Sequence, residues 1–201
     1  PRTVNVDDEL IDIYTKYFIN ELIESGKDIV EFESAHLGVH KKQKQNFAHY
    51  TDWIALVQRV YKQFLKVNTS SDELNILKKV EKEINSICKS NIDLVSFSIK
   101  NIKTYKAIYK IDNKIFKKVK PKVYYTVVSY GQAPIIKAAK DNFIDVVELQ
   151  HGTFSKYHLG YSFPNREKPL AYFPNKLYVW SQFWKKMITL PIDDEYVVVD
   201  E

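Results

Sequence analysis

Cysteine, methionine and glycine are scarce in this chain of 201 residues, which contains one, one and five of them respectively. A single cysteine excludes an internal disulfide and favours a reducing compartment. No apolar run approaches the roughly 20 residues that a membrane-spanning helix needs, and no secretory signal pattern is recognisable. Because the chain begins at Pro1 and its only methionine is Met187, we expect a processed protein or a piece of a longer one. These features predict a cytoplasmic protein.

Several catalytic motifs are also missing. The chain has no Gly-x-Gly-x-x-Gly or Walker loop to cradle phosphates, and no Gly-x-Ser-x-Gly elbow of a serine hydrolase. His36 and His40 are four residues apart but lack the intervening glutamate of a zinc-protease helix. The acidic triplet 193–195 precedes a predicted strand and is interpreted as a polar turn. The sequence therefore predicts neither a cofactor nor a metal site.

The composition is that of a folded protein with a basic excess. Hydrophobic residues make up 45% of the chain, which is enough for a packed core and excludes a disordered chain. The 14 tyrosines suit ligands that combine apolar faces with polar groups, such as sugars, although most are expected at core edges. The formal net charge is +5.

The basic excess is concentrated in one predicted helix. Between Lys100 and Lys122 there are nine lysines and a single acid, Asp112. Five of them recur at steps of three or four and share a helical face: Lys103, Lys106, Lys110, Lys114 and Lys117. This face is either solvated or attracted to membrane headgroups, a polyanionic glycan or nucleic acid, of which nucleic acid is the least favoured. The solvated face is the favoured alternative, and under the other one these five lysines would contact the inner face of the plasma membrane.

The chain divides into two regions. Residues 1–120 are predicted to be helix-rich, with the first helix capped by Asp7 or Asp8 and ended by Gly26. Further helices are predicted at about 47–66, from Ser70 or Ser71 to about 88, and along the lysine-rich segment, with a short strand at 29–33. Cys88 continues the apolar stripe of its helix and is interpreted as a small core residue.

Residues 121–201 alternate between β-forming runs and short helices. Strands are predicted at 123–128, 144–149, 177–180 and 196–199, with helices at 133–140 and 182–187. This rhythm predicts an α/β fold with a Rossmann-like parallel sheet.

Three turns follow predicted strands directly and carry polar groups. They are Ser129-Tyr130-Gly131, Gln150-His151-Gly152 and Trp180-Ser181. Ligands of open parallel sheets bind at the carboxyl ends of the strands, so we expect these turns to line a common rim. The long loop that starts at Thr153 would lie over this rim.

His151 is the predicted catalytic residue of the rim. An unperturbed histidine has a pKa near 6.5, so it can take up a proton at neutral pH. Gly152 would allow a substrate to approach the backbone, and Glu148 or Gln150 would orient the imidazole. The alternative is a histidine that only hydrogen-bonds inside a turn.

Two further loop residues have alternatives of the same kind. His158 binds a phosphate or an acceptor, or it packs under the loop. Arg166 binds an anionic group, or it is solvated like most isolated loop arginines.

Two sequence blocks, VVELQHGTFSKYHLGYSFP at 146–164 and LYVWSQFWKK at 177–186, resemble bacterial glycosyltransferases of capsule and O-antigen gene clusters. The QHGTFSK core is also similar to a Trp-His-Gly-Thr segment of teichoic-acid glycerophosphate transferases, with Gln150 in place of the tryptophan. The likeness extends over about residues 122–188. It implies a GT-B architecture and His151 as the base that deprotonates the acceptor hydroxyl.

The resemblance also implies the ligands. The donor would be a nucleotide-activated sugar and the acceptor a surface glycan or a lipid-linked chain. The rim and its loop supply the predicted substrate-binding residues: Ser129, Tyr130, Gly131, Gln150, Gly152, Thr153, His158, Tyr161 and Arg166. A GT-B enzyme has a second Rossmann-like domain for the donor, and we expect that domain outside this chain, which would then be the acceptor-side part of a longer enzyme. A further alternative is that this part folds but has no activity without the donor domain.

The sequence therefore predicts a glycosyltransferase domain of bacterial surface-glycan synthesis. The alternative is a non-catalytic module that binds an anionic polymer or nucleic acid through the lysine-rich helix.

Overall fold

The computed structural model describes residues 3–6, 9–35, 38, 40, 47–164 and 170–199. These residues form an α/β fold with a four-stranded parallel sheet and six α-helices, which confirms the predicted fold class and is consistent with a Rossmann-like fold. The elements in chain order are β1 (Thr3–Val6), β2 (Glu9–Asp12), α1 (Lys16–Glu24), β3 (Glu31–Glu33), β4 (Ala48–Tyr50), α2 (Asp52–Gln63), α3 (Ser71–Cys88), α4 (Leu94–Val119), β5 (Val123–Thr126), α5 (Ala133–Asp141), β6 (Asp145–Leu149), β7 (Lys176–Val179), α6 (Gln182–Lys186) and β8 (Val197–Val199).

The beginning of the chain differs from the prediction. The first helix was expected from Asp7 or Asp8, which lie outside the described residues, but β1 and β2 form an antiparallel hairpin and α1 begins only at Lys16. The segment is rich in β-branched residues, and pairing between the two strands competes successfully with the helix. Asp12 then accepts the N–H of Tyr14 at 2.9 Å, which turns the chain into α1. Gly26 follows the helix with φ +70°, as predicted.

The second predicted helix begins later than expected. Residues 48–50 pair in parallel with β3 instead. Two backbone hydrogen bonds of 2.9 Å each flank this pairing: the Glu31 N–H donates to the Phe47 carbonyl, and the Thr51 N–H donates to the Glu33 carbonyl. The short strand predicted at 29–33 is confirmed as β3, and α2 starts directly after β4.

Helix α3 is confirmed, and its start is closed by reciprocal capping. The Ser70 hydroxyl accepts the Glu73 N–H at 3.2 Å, and the Glu73 carboxylate accepts the Ser70 N–H at 2.8 Å. The prediction that Cys88 lies in the core is wrong, because its side chain is exposed. Among its described neighbours α3 packs mainly on α4, so the rest of its circumference stays uncovered.

Helix α4 connects the two regions of the chain, since it packs on α2, α3 and α5. Its one acid, Asp112, is buried and accepts the Gln58 side-chain amide at 2.7 Å, and burial raises the pKa of its carboxyl to about 6. Of the five predicted face lysines, Lys103 is half-buried and the other four are exposed. The Lys110 ammonium lies 5.9 Å from the ring centre of Tyr61 on α2.

The four strands of the main sheet follow one another in the order β5-β6-β7-β8, all parallel. All four predicted strands are confirmed with ends shifted by one or two residues, and Tyr196 lies in a 3₁₀ turn instead of a strand. One core lies under α4 and α5: Phe116, Ile136, Ala138, Ala139, Ile144 and Val146. A second core lies between β7, β8 and the long loop: Phe154, Tyr161, Phe173, Leu177, Val179, Leu190, Ile192 and Val197.

Candidate functional site

The three polar turns meet at the carboxyl edge of the sheet. The Ser129 N–H donates to Glu148 Oε1 at 3.0 Å, and the Trp180 N–H donates to Gln150 Oε1 at 2.9 Å. Gln150 also donates from Nε2 to the Gly152 carbonyl at 2.7 Å. These bonds join the ends of β5, β6 and β7, and the predicted common rim is therefore confirmed.

Aromatic rings surround the predicted catalytic histidine. The ring centre of His151 lies 5.9 Å from Tyr130, 6.3 Å from Tyr161 and 6.4 Å from Tyr14. His158 completes the group at 5.3 Å from Tyr130 and 4.9 Å from Tyr161. We call these five residues the aromatic cluster. It is half solvent-facing, since Tyr130 is 46% exposed while Tyr161 is fully buried.

Tyr14 was not predicted as a member of the site. It lies in the turn between β2 and α1, so the N-terminal hairpin region reaches the rim of the main sheet. No local pattern around Tyr14 marks it as functional, and only the tertiary structure brings it to the rim.

The surroundings of His151 favour its neutral form, which is the form that can accept a proton. Burial lowers the pKa of its imidazole, a hydrogen bond with the Val127 backbone opposes this change, and the nearby His158 lowers the pKa further. The ring is therefore neutral at pH 7. Its Nδ1 atom is shielded and has no hydrogen-bond partner among the described residues.

Glu148 does not orient the imidazole. Its Oε1 accepts both the Ser129 N–H and the Tyr161 hydroxyl, while Oε2 is buried without a partner among the described residues. The side chain is fully buried, and this burial raises the pKa of its carboxyl to about 7. Burial, and then the charge of Glu148, also raise the pKa of Tyr161.

Gln150 does not orient the imidazole either, because its amide is used by Trp180 and Gly152. Both side chains predicted to hold the histidine therefore hold the rim itself. Glu148 ties the β5 turn to the long loop, and Gln150 ties the β6 turn to the end of β7.

Three glycines near the rim differ in what surrounds them. At Gly152 an added Cβ would meet nothing within 4 Å, so the space beside His151 is open. At Gly160 the same atom would lie 2.8 Å from Tyr130 Cδ1, so this glycine allows the Tyr130 ring to pack on the loop. Gly131 adopts φ +87°, which the tight turn after β5 requires of it.

His158 is engaged within the loop. Its Nδ1 accepts the Gly160 N–H at 3.1 Å, and its ring packs on two tyrosines, so of the two alternatives the structure supports packing. Thr153 is exposed at the start of the loop. Arg166 and His36 lie outside the described residues, and the predictions made for them stay predictions.

His40, which lies four residues after His36, contacts the Asp52 carboxylate through Nε2 at 2.9 Å. Across the described part of the chain, no group of three His, Cys, Asp or Glu side chains is arranged to hold a metal ion. None of the helices in the described part of the chain combines the length and the apolar character needed to cross a bilayer.

Comparison of the chain with protein-family models, curated proteins and solved structures gives no match.

Proposed function

We propose that this chain is a glycosyltransferase domain that transfers a sugar from a nucleotide-activated donor to an acceptor of surface-polysaccharide synthesis. The observation that supports the proposal is His151, a neutral imidazole with an unpaired Nδ1, held among tyrosines at the carboxyl ends of parallel strands. Tyrosine rings provide the apolar surface and the hydroxyl groups that sugar rings need. The likeness of residues 146–164 to surface-glycan transferases supports the same function.

In the proposed reaction His151 is the general base. An acceptor hydroxyl gives its proton to the imidazole while its oxygen attacks the anomeric carbon of the donor. The bond between that carbon and the phosphate oxygen breaks, and the nucleotide leaves with the electron pair. Backbone amides and basic side chains stabilise the negative charge of the leaving nucleotide.

Access to His151 requires movement within the aromatic cluster. The Nδ1 atom has no exposed surface, whereas Tyr130 is 46% exposed at the rim. Tyr130 and Tyr161 are in ring contact, and Tyr130 is the more exposed of the two. We therefore expect the Tyr130 ring to turn away when the acceptor enters. The open space beside Gly152 lies next to the same histidine.

The proposal includes the architecture and the location. In a GT-B enzyme this chain would form the acceptor-side wall of a cleft, with the donor domain in another part of a longer protein. The enzyme would work in the cytoplasm at the inner face of the plasma membrane, where lipid-linked acceptors are found.

The test is sugar transfer by the full-length protein, measured as nucleotide release with a panel of nucleotide sugars and glycan acceptors. His151→Asn should lower turnover by about 10² to 10⁴-fold, the usual contribution of a general base, while donor affinity stays unchanged. The matched control His49→Asn removes an exposed imidazole on β4, outside the aromatic cluster, and should keep turnover within a few-fold.

Two results would contradict the proposal. Turnover of His151→Asn close to that of the wild type would remove His151 as the base. Absence of saturable binding for every nucleotide sugar, together with strongly salt-dependent polyanion binding that ignores the substitution, would favour a non-catalytic binding module.

A further inference from the structure

Phe143 occupies an unusual position at the end of α5. The Phe143 N–H donates to the Lys140 carbonyl at 3.0 Å and the Ile144 N–H to the Ala139 carbonyl at 3.1 Å, the pattern of a Schellman helix end. The residue at this position adopts the left-handed conformation and is usually glycine, but here Phe143 has φ +58°. Its side chain is 98% exposed, so the ring contributes almost nothing to packing.

Exposed lysines lie at the end of α4 and in the link to β5, and two of them share a hollow with this ring. The end of α4 and the link to β5 carry Lys117, Lys118, Lys120 and Lys122, and all four side chains are exposed. Lys117, Lys120 and Phe143 line one shallow hollow of about 450 Å³. We call Phe143 and these four lysines the Phe143 patch.

The acids close to the patch leave its positive charge largely intact. The Asp141 carboxylate is held by the Lys137 ammonium at 2.5 Å and the Tyr109 hydroxyl at 2.8 Å. Asp145 is exposed at the start of β6, opposite Val123 in the sheet register. The patch therefore has four lysines against these two acids, and one of the acids already has a cationic partner.

We propose that the Phe143 patch docks on a bilayer that contains anionic lipids. A projecting aromatic ring enters the interfacial region of a bilayer, and surrounding lysines attract anionic headgroups. Each of these elements alone gives weak binding, and their combination at one edge of the fold gives the two signals that stable attachment requires. A bilayer is favoured over nucleic acid because the patch presents one ring and flexible point charges, not a track of several stacking platforms.

The patch lies at the opposite edge of the sheet from the aromatic cluster. Phe143 and Lys122 precede β6 and β5, whereas His151 follows β6. Strands of this length separate the two edges by about 15 Å at roughly 3.3 Å per residue. Membrane docking does not depend on the proposed transfer reaction, but if both hold, the acceptor must extend away from the bilayer to reach His151.

The test is co-sedimentation of the protein with vesicles of phosphatidylcholine alone or mixed with phosphatidylglycerol. The wild type should bind the anionic vesicles and lose this binding in high salt. Phe143→Gly should weaken binding by about tenfold, because the ring no longer enters the interface. The same substitution should raise the melting temperature, because glycine adopts the left-handed conformation without strain.

A second variant tests the lysines. Lys117→Gln combined with Lys120→Gln should weaken binding by roughly 25-fold, about fivefold for each charge removed near an anionic surface. Matched controls change α3 instead: Lys78→Gln with Lys79→Gln removes two exposed lysines, and Ile87→Ala removes an apolar side chain that is 80% exposed. Both controls should bind like the wild type.

Three results would overturn the proposal. They are unchanged vesicle binding by Phe143→Gly, equal binding to neutral and anionic vesicles, and loss of binding in the α3 controls. Binding to RNA but to no vesicle would assign the patch to nucleic acid instead. His151→Asn should bind vesicles normally, so failure of the transferase proposal remains distinguishable from failure of this one.

Discussion

Replacing Glu148 by glutamine should change how stability depends on pH. Burial raises the pKa of Glu148 from 4.5 to about 7. At about 1.4 kcal/mol per unit, the folded state pays about 3 kcal/mol when this carboxyl is ionised. The hydrogen bonds from the Ser129 N–H and the Tyr161 hydroxyl both end on Oε1, and the amide oxygen of glutamine can accept these two donors. The variant therefore imitates the protonated form.

The sign follows from the raised pKa. Below about pH 4.5 the carboxyl is protonated in the folded and the unfolded protein, and the penalty is absent. As the pH rises from there to about 7, the unfolded state ionises first and stability is lost. The free energy of unfolding of Glu148→Gln minus that of the wild type should thus increase from about zero to about 3 kcal/mol.

The measurement is urea unfolding followed by tryptophan fluorescence from about pH 4 to about pH 8. Taking the difference between the two proteins removes the contribution of other groups, including His151, whose lowered pKa acts in the opposite direction. Asp145→Asn, an exposed acid on the same strand, is the matched control and should give a constant difference. If the free energy of unfolding of wild type and Glu148→Gln changed in parallel with pH, burial would not destabilise the ionised form of Glu148, and the reasoning would be refuted.

Two further substitutions test local packing. Gly160→Ala places a methyl group 2.8 Å from Tyr130 Cδ1, so the ring must shift and the free energy of unfolding should fall by about 1–3 kcal/mol. The methyl group of the control Gly152→Ala meets nothing within 4 Å, and its free energy of unfolding should stay within about 0.5 kcal/mol of the wild type. Equal effects of the two in urea titrations would contradict the packing of Tyr130 on the loop. Ser70→Ala removes the capping box of α3 and should cost about 1 kcal/mol, against almost nothing for Ser71→Ala one position later, as judged by thermal unfolding.

Strand order and turn composition were enough to predict from the sequence which turns form the candidate site. A β-branched run before Gln150-His151-Gly152 predicts a strand that ends there, and parallel strands bring their carboxyl ends to one edge. That is sufficient to gather the three turns. It is insufficient to assign partners, because hydrogen bonds such as that between the Tyr161 hydroxyl and Glu148 depend on how the loop folds back.

The sequence by itself determined the elements whose signals are local: the capping box of α3, the helical repeat of α4 and the four strands of the main sheet. Caps and periodicity act over a few residues, so they persist whatever surrounds them. The tertiary structure alone decided the N-terminal hairpin, the exposure of Cys88 and the position of Tyr14 beside His151. These features depend on which surfaces cover one another, and contacts between distant segments are not encoded in any short pattern.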